Sequence, residues 1–103
     1  MQYQGLATGS DRLKTVRHDT AKYLKTKKDV AAYLNAVFEE DDPALIAHAL
    51  GVVARAEGMG EVAKQAGLTR PSLYKTLSEN GRPEFSTVLK VLRALGLKLT
   101  VAA

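Results

Sequence analysis

Arg70 and Ser72 carry the most informative chemistry in this chain. Both stand in the run LTRPSLYK. An arginine guanidinium there can give two parallel hydrogen bonds to guanine O6 and N7, and a serine hydroxyl can donate or accept at either type of base pair. Base edges are reached by an element slim enough to enter the major groove, which places such side chains at the start of a helix. Thr69, Arg70, Pro71 and Ser72 are therefore expected at the reading end, with Lys75 one turn further on the same exposed side. Pro71 has no N–H to lose in the first turn and stiffens that end. Tyr74 is expected to reach a phosphate or pack on a base methyl group. Lys64, Gln65, Asn80 and Arg82 are expected to touch backbone phosphates, contacts that position rather than specify. Each residue alone also reads as solvated surface, so the argument rests on the cluster.

Other chemistries find little support. His18 and His48 are far apart, and the chain has no cysteine, no HExxH run and no carboxylate spacing suited to a metal. Gly58-Met59-Gly60 reads as a helix break rather than a phosphate cradle, and no nucleophile elbow is present. No catalytic residue, metal ligand or cofactor is expected, and an enzyme is the weakest reading.

The elements that must position the cluster are helices. The stretch from Met59 to Leu77, MGEVAKQAGLTRPSLYKTL, has what a helix-turn-helix requires. Ala63 is small where the two helices would cross, Gly67 permits the positive φ of the turn, and Val62, Ala66, Leu68 and Leu73 form a buried seam. One departure stands out: the last apolar position is Leu77, one residue later than usual, with Thr76 before it. Leu77 is i+4 from Leu73, so the apolar face survives and the helix exit changes. A helical hairpin that never meets DNA would show much the same spacing.

Around this motif the apolar residues repeat with helical period. Val30, Tyr33, Leu34, Val37 and Phe38 predict a helix from Asp29. Asp42 followed by Pro43 predicts a capped start for a second, in which Leu45, Ile46, Ala49, Leu50, Val53 and Ala56 run to Gly58. The third is expected from about Gly60 to Ala66, and the fourth is capped by Thr69. A fifth should bury Phe85, Val88, Leu89, Leu92 and Leu95. Leu97 to Val101 alternates apolar and polar and reads as a short strand needing a partner. Residues 1–19 read as a mobile tail, Thr20 to Lys25 as one helical turn, and 20–103 as the domain. The expected class is all-α: a compact five-helix domain with a helix-turn-helix at 59–77, a short C-terminal strand and a mobile N-terminal tail.

The length of 103 residues suits one domain, and 46% hydrophobic with 25% charged residues is an ordinary globular balance. No apolar run approaches the roughly 20 residues that cross a bilayer, and MQYQGLATGSDRLK lacks a secretion signal, so a cytoplasmic protein with no membrane partner is expected. The net charge of +4 is unevenly spread. Residues 1–28 and 59–103 are basic. Between them only Arg55 faces Asp29, Glu39, Glu40, Asp41, Asp42 and Glu57. Phosphates would repel that acidic middle, so it must face elsewhere or simply keep its helices solvated.

From Asp19 to Val101 the chain resembles the addiction-module antidote family, HigA-type antitoxins with a Cro/C1 (XRE) type helix-turn-helix. The most specific segments are AAYLNA, ALGVVARAEGM and LTRPSLYKTLSENGRPEFSTVLKVLRALGLKL. The resemblance implies a dimeric repressor of its own toxin-antitoxin operon that also binds and silences a RelE/ParE-like toxin. It matches the recognition positions to Thr69, Arg70, Ser72, Tyr74 and Lys75, without identifying the bases they read.

The expected partners are thus double-stranded operator DNA, a second copy of the chain and a small basic toxin. A homodimer follows because one recognition helix reads few base pairs; the LKLTV segment and the fifth helix are the expected interface. The toxin is expected on the acidic hairpin from Asp29 to Glu57, together with the basic N-terminal segment. Two alternatives stay open: a stand-alone prophage-type repressor without a toxin, and a protein-binding antidote whose helix-turn-helix is only scaffold. Pull-down with the adjacent reading frame separates the first, and salt-dependent duplex binding separates the second.

Overall fold

Thr26 and Asp29 cap each other at the first helix. Asp29 N–H donates to Thr26 Oγ1 (3.0 Å) and Thr26 N–H to Asp29 Oδ2 (3.1 Å), a reciprocal box that satisfies two otherwise orphaned donors. The structure, a computed structural model, describes residues 24–78 and 81–103. The capping box starts α1 (Lys27–Phe38) two residues before the position expected from the apolar stripe. Val30, Tyr33, Leu34 and Val37 are buried along it, as the periodicity predicts, and Phe38 is half-buried.

The acidic turn after α1 is closed by Asp41 at φ 56°, a left-handed position that a short polar side chain tolerates. Asp42 then accepts from the N–H groups of Ala44 and Leu45 and opens α2 (Pro43–Glu57), with proline first in the helix as expected. α2 is buried on more than the one face read from its stripe: Ala47, Gly51 and Ala54 are inside, whereas Ala56 is exposed. Small residues there let neighbouring helices approach.

Three further helices complete the described fold: α3 (Met59–Ala66), α4 (Arg70–Thr76) and α5 (Phe85–Ala94). α3 is the hub, packing against α2, α4 and α5, while α1 lies on α2. Leu50, Leu73, Leu77, Val37, Val53 and Val91 are fully buried at the centre. Each contributes about 1.5 to 3 kcal/mol relative to an exposed side chain. The all-α architecture expected from the periodicity is the one observed.

α5 corrects one expectation. Phe85 is 66% exposed and Leu89 38% exposed, while Val91, absent from the expected core, is fully buried beside Leu92. The helix and its C-cap carry apolar residues at 85, 88, 89, 91, 92, 94 and 95, more than one face can bury. The stripe Val88, Leu92 and Leu95 turns inward with Val91 joining it, leaving Phe85 and Leu89 outside.

The expected strand at Leu97 to Val101 is a second correction: none of these residues is in a strand within the single chain. Leu97 N–H donates to Leu92 O (2.8 Å), closing the end of α5 around Gly96, and its side chain packs on the core. A donor used in a helix cap is lost to a ladder. Leu99 is 38% and Val101 98% exposed beyond it. The expected tail at 1–19 and the part of the expected helical turn up to Tyr23 lie outside the described residues. Among those described, no helix is long and apolar enough to cross a membrane.

Candidate nucleic-acid interface

Gly67 sets the angle between α3 and α4. It ends α3 at φ 75°, and Leu68 N–H returns to Ala63 O (2.8 Å), so the chain reverses within a few residues. A Cβ at this φ would be strained, and hence glycine. Ala63 is 2% exposed at the crossing, with Val62, Ala66 and Leu73 buried around it and Leu68 half-buried. The apolar residues expected for this unit all stand where the sequence put them.

Thr69 starts α4 by accepting a hydrogen bond from Ser72 N–H (3.1 Å). With Arg70 first and Pro71 second in the helix, the backbone needs no other donor from the proline. Leu73 is fully buried within α4 and Leu77, just after it, is 1% exposed. This i, i+4 pair pins one face inward. Thr69, Arg70, Pro71, Ser72, Tyr74 and Lys75 are consequently all exposed.

On that face Arg70 is held over the ring of Tyr74, its guanidinium carbon 5.8 Å from the centroid. Its stem passes α3 at Gly60, where a Cβ would stand 4.0 Å from Arg70 Cδ. Such a cation–ring contact stabilises by about 0.5 to 1 kcal/mol at an exposed site and limits how far the arginine can swing. Lys64 is exposed on α3. Gln65 is also exposed, but its amide donates to Glu61 Oε2 (2.9 Å), which sets a carboxylate beside it. Arg82 is exposed and lines a groove of about 680 Å³ with Phe38, Asp42, Pro43, Phe85 and Val88. Asn80 lies outside the described residues.

One cation of this face was not among the expected residues. Arg55, in the last turn of α2, lies 5.9 Å from the same Tyr74 centroid. Spacing along a single helix carries no information about a contact made across two. A hint was nevertheless present in Gly51, one turn before Arg55 and buried, because a glycine inside a helix marks close approach by another backbone.

Comparison with known proteins matches residues 14–103 to a family described as probable addiction module antidote protein. An uncharacterized protein of Haemophilus influenzae is 45% identical over 83 residues, which cover 81% of this chain and 86% of the relative. No solved structure matches the chain.

Proposed function

This chain belongs to the family of probable addiction module antidote proteins, and from that premise we propose that it is a DNA-binding antitoxin that represses its own operon and neutralises a RelE/ParE-like toxin. α3 and α4 serve as the helix-turn-helix, of the Cro type in a HigA-like antitoxin. The carrying observation is α4 itself: capped by Thr69 and pinned by Leu73, it leaves Arg70, Ser72, Tyr74 and Lys75 on the solvent side. Arg70 and Ser72 read base edges, Thr69 and Pro71 shape the reading end, and Tyr74, Lys75 and Lys64 hold phosphates. Gln65, Asn80 and Arg82 complete the backbone contacts.

The protein works as a homodimer in the cytoplasm, since a two-fold operator needs a two-fold protein. The exposed Phe85, Leu89, Leu99 and Val101 support an interface built from α5 and the C-terminal segment. The toxin binds the acidic hairpin of α1 and α2.

Co-expression with the adjacent reading frame tests the antidote role, and titration of the purified protein with duplex from its own promoter tests the repressor role. Recovery of a small basic protein together with salt-dependent binding is the expected result. Salt-dependent binding with no partner would mean a stand-alone repressor. A partner with no DNA binding would reduce the α3–α4 unit to scaffold.

A further inference from the structure

Arg55 is the only lysine or arginine from Asp29 to Gly58, in a stretch holding six acids. An arginine so placed would ordinarily pair with a neighbouring carboxylate. Instead its guanidinium lies over the Tyr74 ring, 5.9 Å from the centroid, on a different helix. Arg70 occupies the same ring at 5.8 Å. Both guanidiniums therefore lie within 6 Å of the centroid of one exposed aromatic ring, and among the described residues neither is paired with a carboxylate.

The placement is built into the fold. α2 meets the end of α4 at Gly51, and Arg55 Nη1 lies 3.5 Å from where a Cβ on Gly51 would stand, so the guanidinium lies back along α2 beside that approach. The arginine is in the last turn of α2, where the helix dipole favours a cation. An exposed guanidinium with no carboxylate partner among the described residues can give charge-assisted hydrogen bonds to an anion. A backbone phosphate flanking the base read by Arg70 is the anion this position meets when α4 lies in a groove.

We propose that Arg55, although it belongs to the acidic hairpin, is a phosphate-binding residue of the DNA interface, presented beside Arg70 by the shared ring of Tyr74. The inference rests on the DNA-binding reading above. It extends the interface from the α3–α4 unit onto the end of α2. It also sets Arg55, the one Lys or Arg of α2, at the opposite end of that helix from the acidic turn Glu39–Asp42.

The test is fluorescence anisotropy of the full-length protein with its own promoter duplex and a scrambled duplex of equal length, over a salt series. Arg55→Gln is expected to weaken both complexes by a similar factor, about three- to tenfold at low salt, and to reduce the log–log salt slope by about 0.9, the share of one phosphate. Arg55→Lys, which keeps the charge, should restore most of the slope. Arg70→Ala should instead weaken the promoter complex more than the scrambled one. An unchanged slope in Arg55→Gln, with Arg70→Ala still impaired, overturns the role of Arg55 and leaves the DNA reading standing. Loss of slope in Arg55→Lys as well as in Arg55→Gln assigns Arg55 to packing and also overturns it. Wild-type protein that binds neither duplex in a salt-dependent way removes both.

Discussion

The backbone carbonyl of Leu77 sits 2.9 Å from the place a Cβ on Gly51 would occupy. This approach seats the end of α4 directly on the middle of α2. Ordinarily Gly→Ala inside a helix stabilises by about 0.5 to 1 kcal/mol. At Gly51 the added methyl meets backbone, which cannot rotate aside, so Gly51→Ala should lower stability by about 1 to 3 kcal/mol despite the propensity gain. Gly60→Ala is the matched control, since its Cβ would meet only the flexible stem of Arg70 at 4.0 Å. Urea denaturation of the two variants should move the midpoints in opposite directions. A stabilised Gly51→Ala would show that the approach is looser than described.

The Thr69 cap makes a second prediction. Its hydroxyl satisfies Ser72 N–H at the start of a helix only seven residues long, so few other bonds hold that end. Thr69→Ala should cost about 1 kcal/mol, and Thr69→Ser should recover most of it. If DNA is read from this end, the alanine variant also loses promoter affinity beyond its loss of stability. Identical melting curves for wild type and Thr69→Ala would contradict the cap.

How much of this was legible in the sequence depended on the range of the signal. Local signals are legible: Asp42-Pro43 opens α2, Gly67 ends α3, Thr69 caps α4, and Leu73 with Leu77 faces inward. Thr26-x-x-Asp29 was an equally local signal that the apolar stripe overshadowed. Two features were not legible because they are decided between elements. α5 offers two apolar stripes, and only the packing of α3 against it selects Val91 and Leu92 over Phe85 and Leu89. Arg55 meets Tyr74 through a fold contact that no spacing within one helix encodes. The strand at Leu97 failed for a subtler reason, since an alternating pattern does not reveal that its first N–H is already used by Leu92.

Specificity gives a third prediction. Arg70→Ala should cost about 1 to 3 kcal/mol on the operator and relax base preference at one position. Lys90→Ala, exposed on α5, should cost much less. Equal losses for the two in one titration would mean that α4 is not the reading helix.

The exposed apolar residues give a fourth. Phe85 is 66% and Val101 98% exposed, and in the proposed homodimer a second copy covers them. Removing residues 99–103 spares Leu97, which the core needs, while deleting Leu99 and Val101. Sedimentation should show a dimer for the full chain at micromolar concentration and a weakened one for the truncated chain or for Phe85→Ser. A dimer indifferent to both changes would move the interface elsewhere.

The acidic turn between α1 and α2 allows the proposed toxin-binding surface to be tested with small changes to the fold. Glu39, Glu40, Asp41 and Asp42 are all exposed, and they form the densest negative charge in the chain. If the toxin presents a basic surface, these carboxylates would attract and cover it, with a strength that falls as salt rises. Two of the four also have structural duties: Asp42 caps α2, and Asp41 holds φ 56°. Asparagine serves well as an N-cap and is tolerated in the left-handed region, and glutamine keeps the shape of glutamate, so changing all four to amides removes charge and little else. The expected outcome is a variant that melts like wild type, binds promoter duplex at least as tightly, and fails to neutralise the toxin in a growth-rescue assay. Retained neutralisation would mean that these acids serve only to keep the hairpin soluble and turned from phosphates. Lost neutralisation together with lost DNA binding would mean that one surface serves both partners.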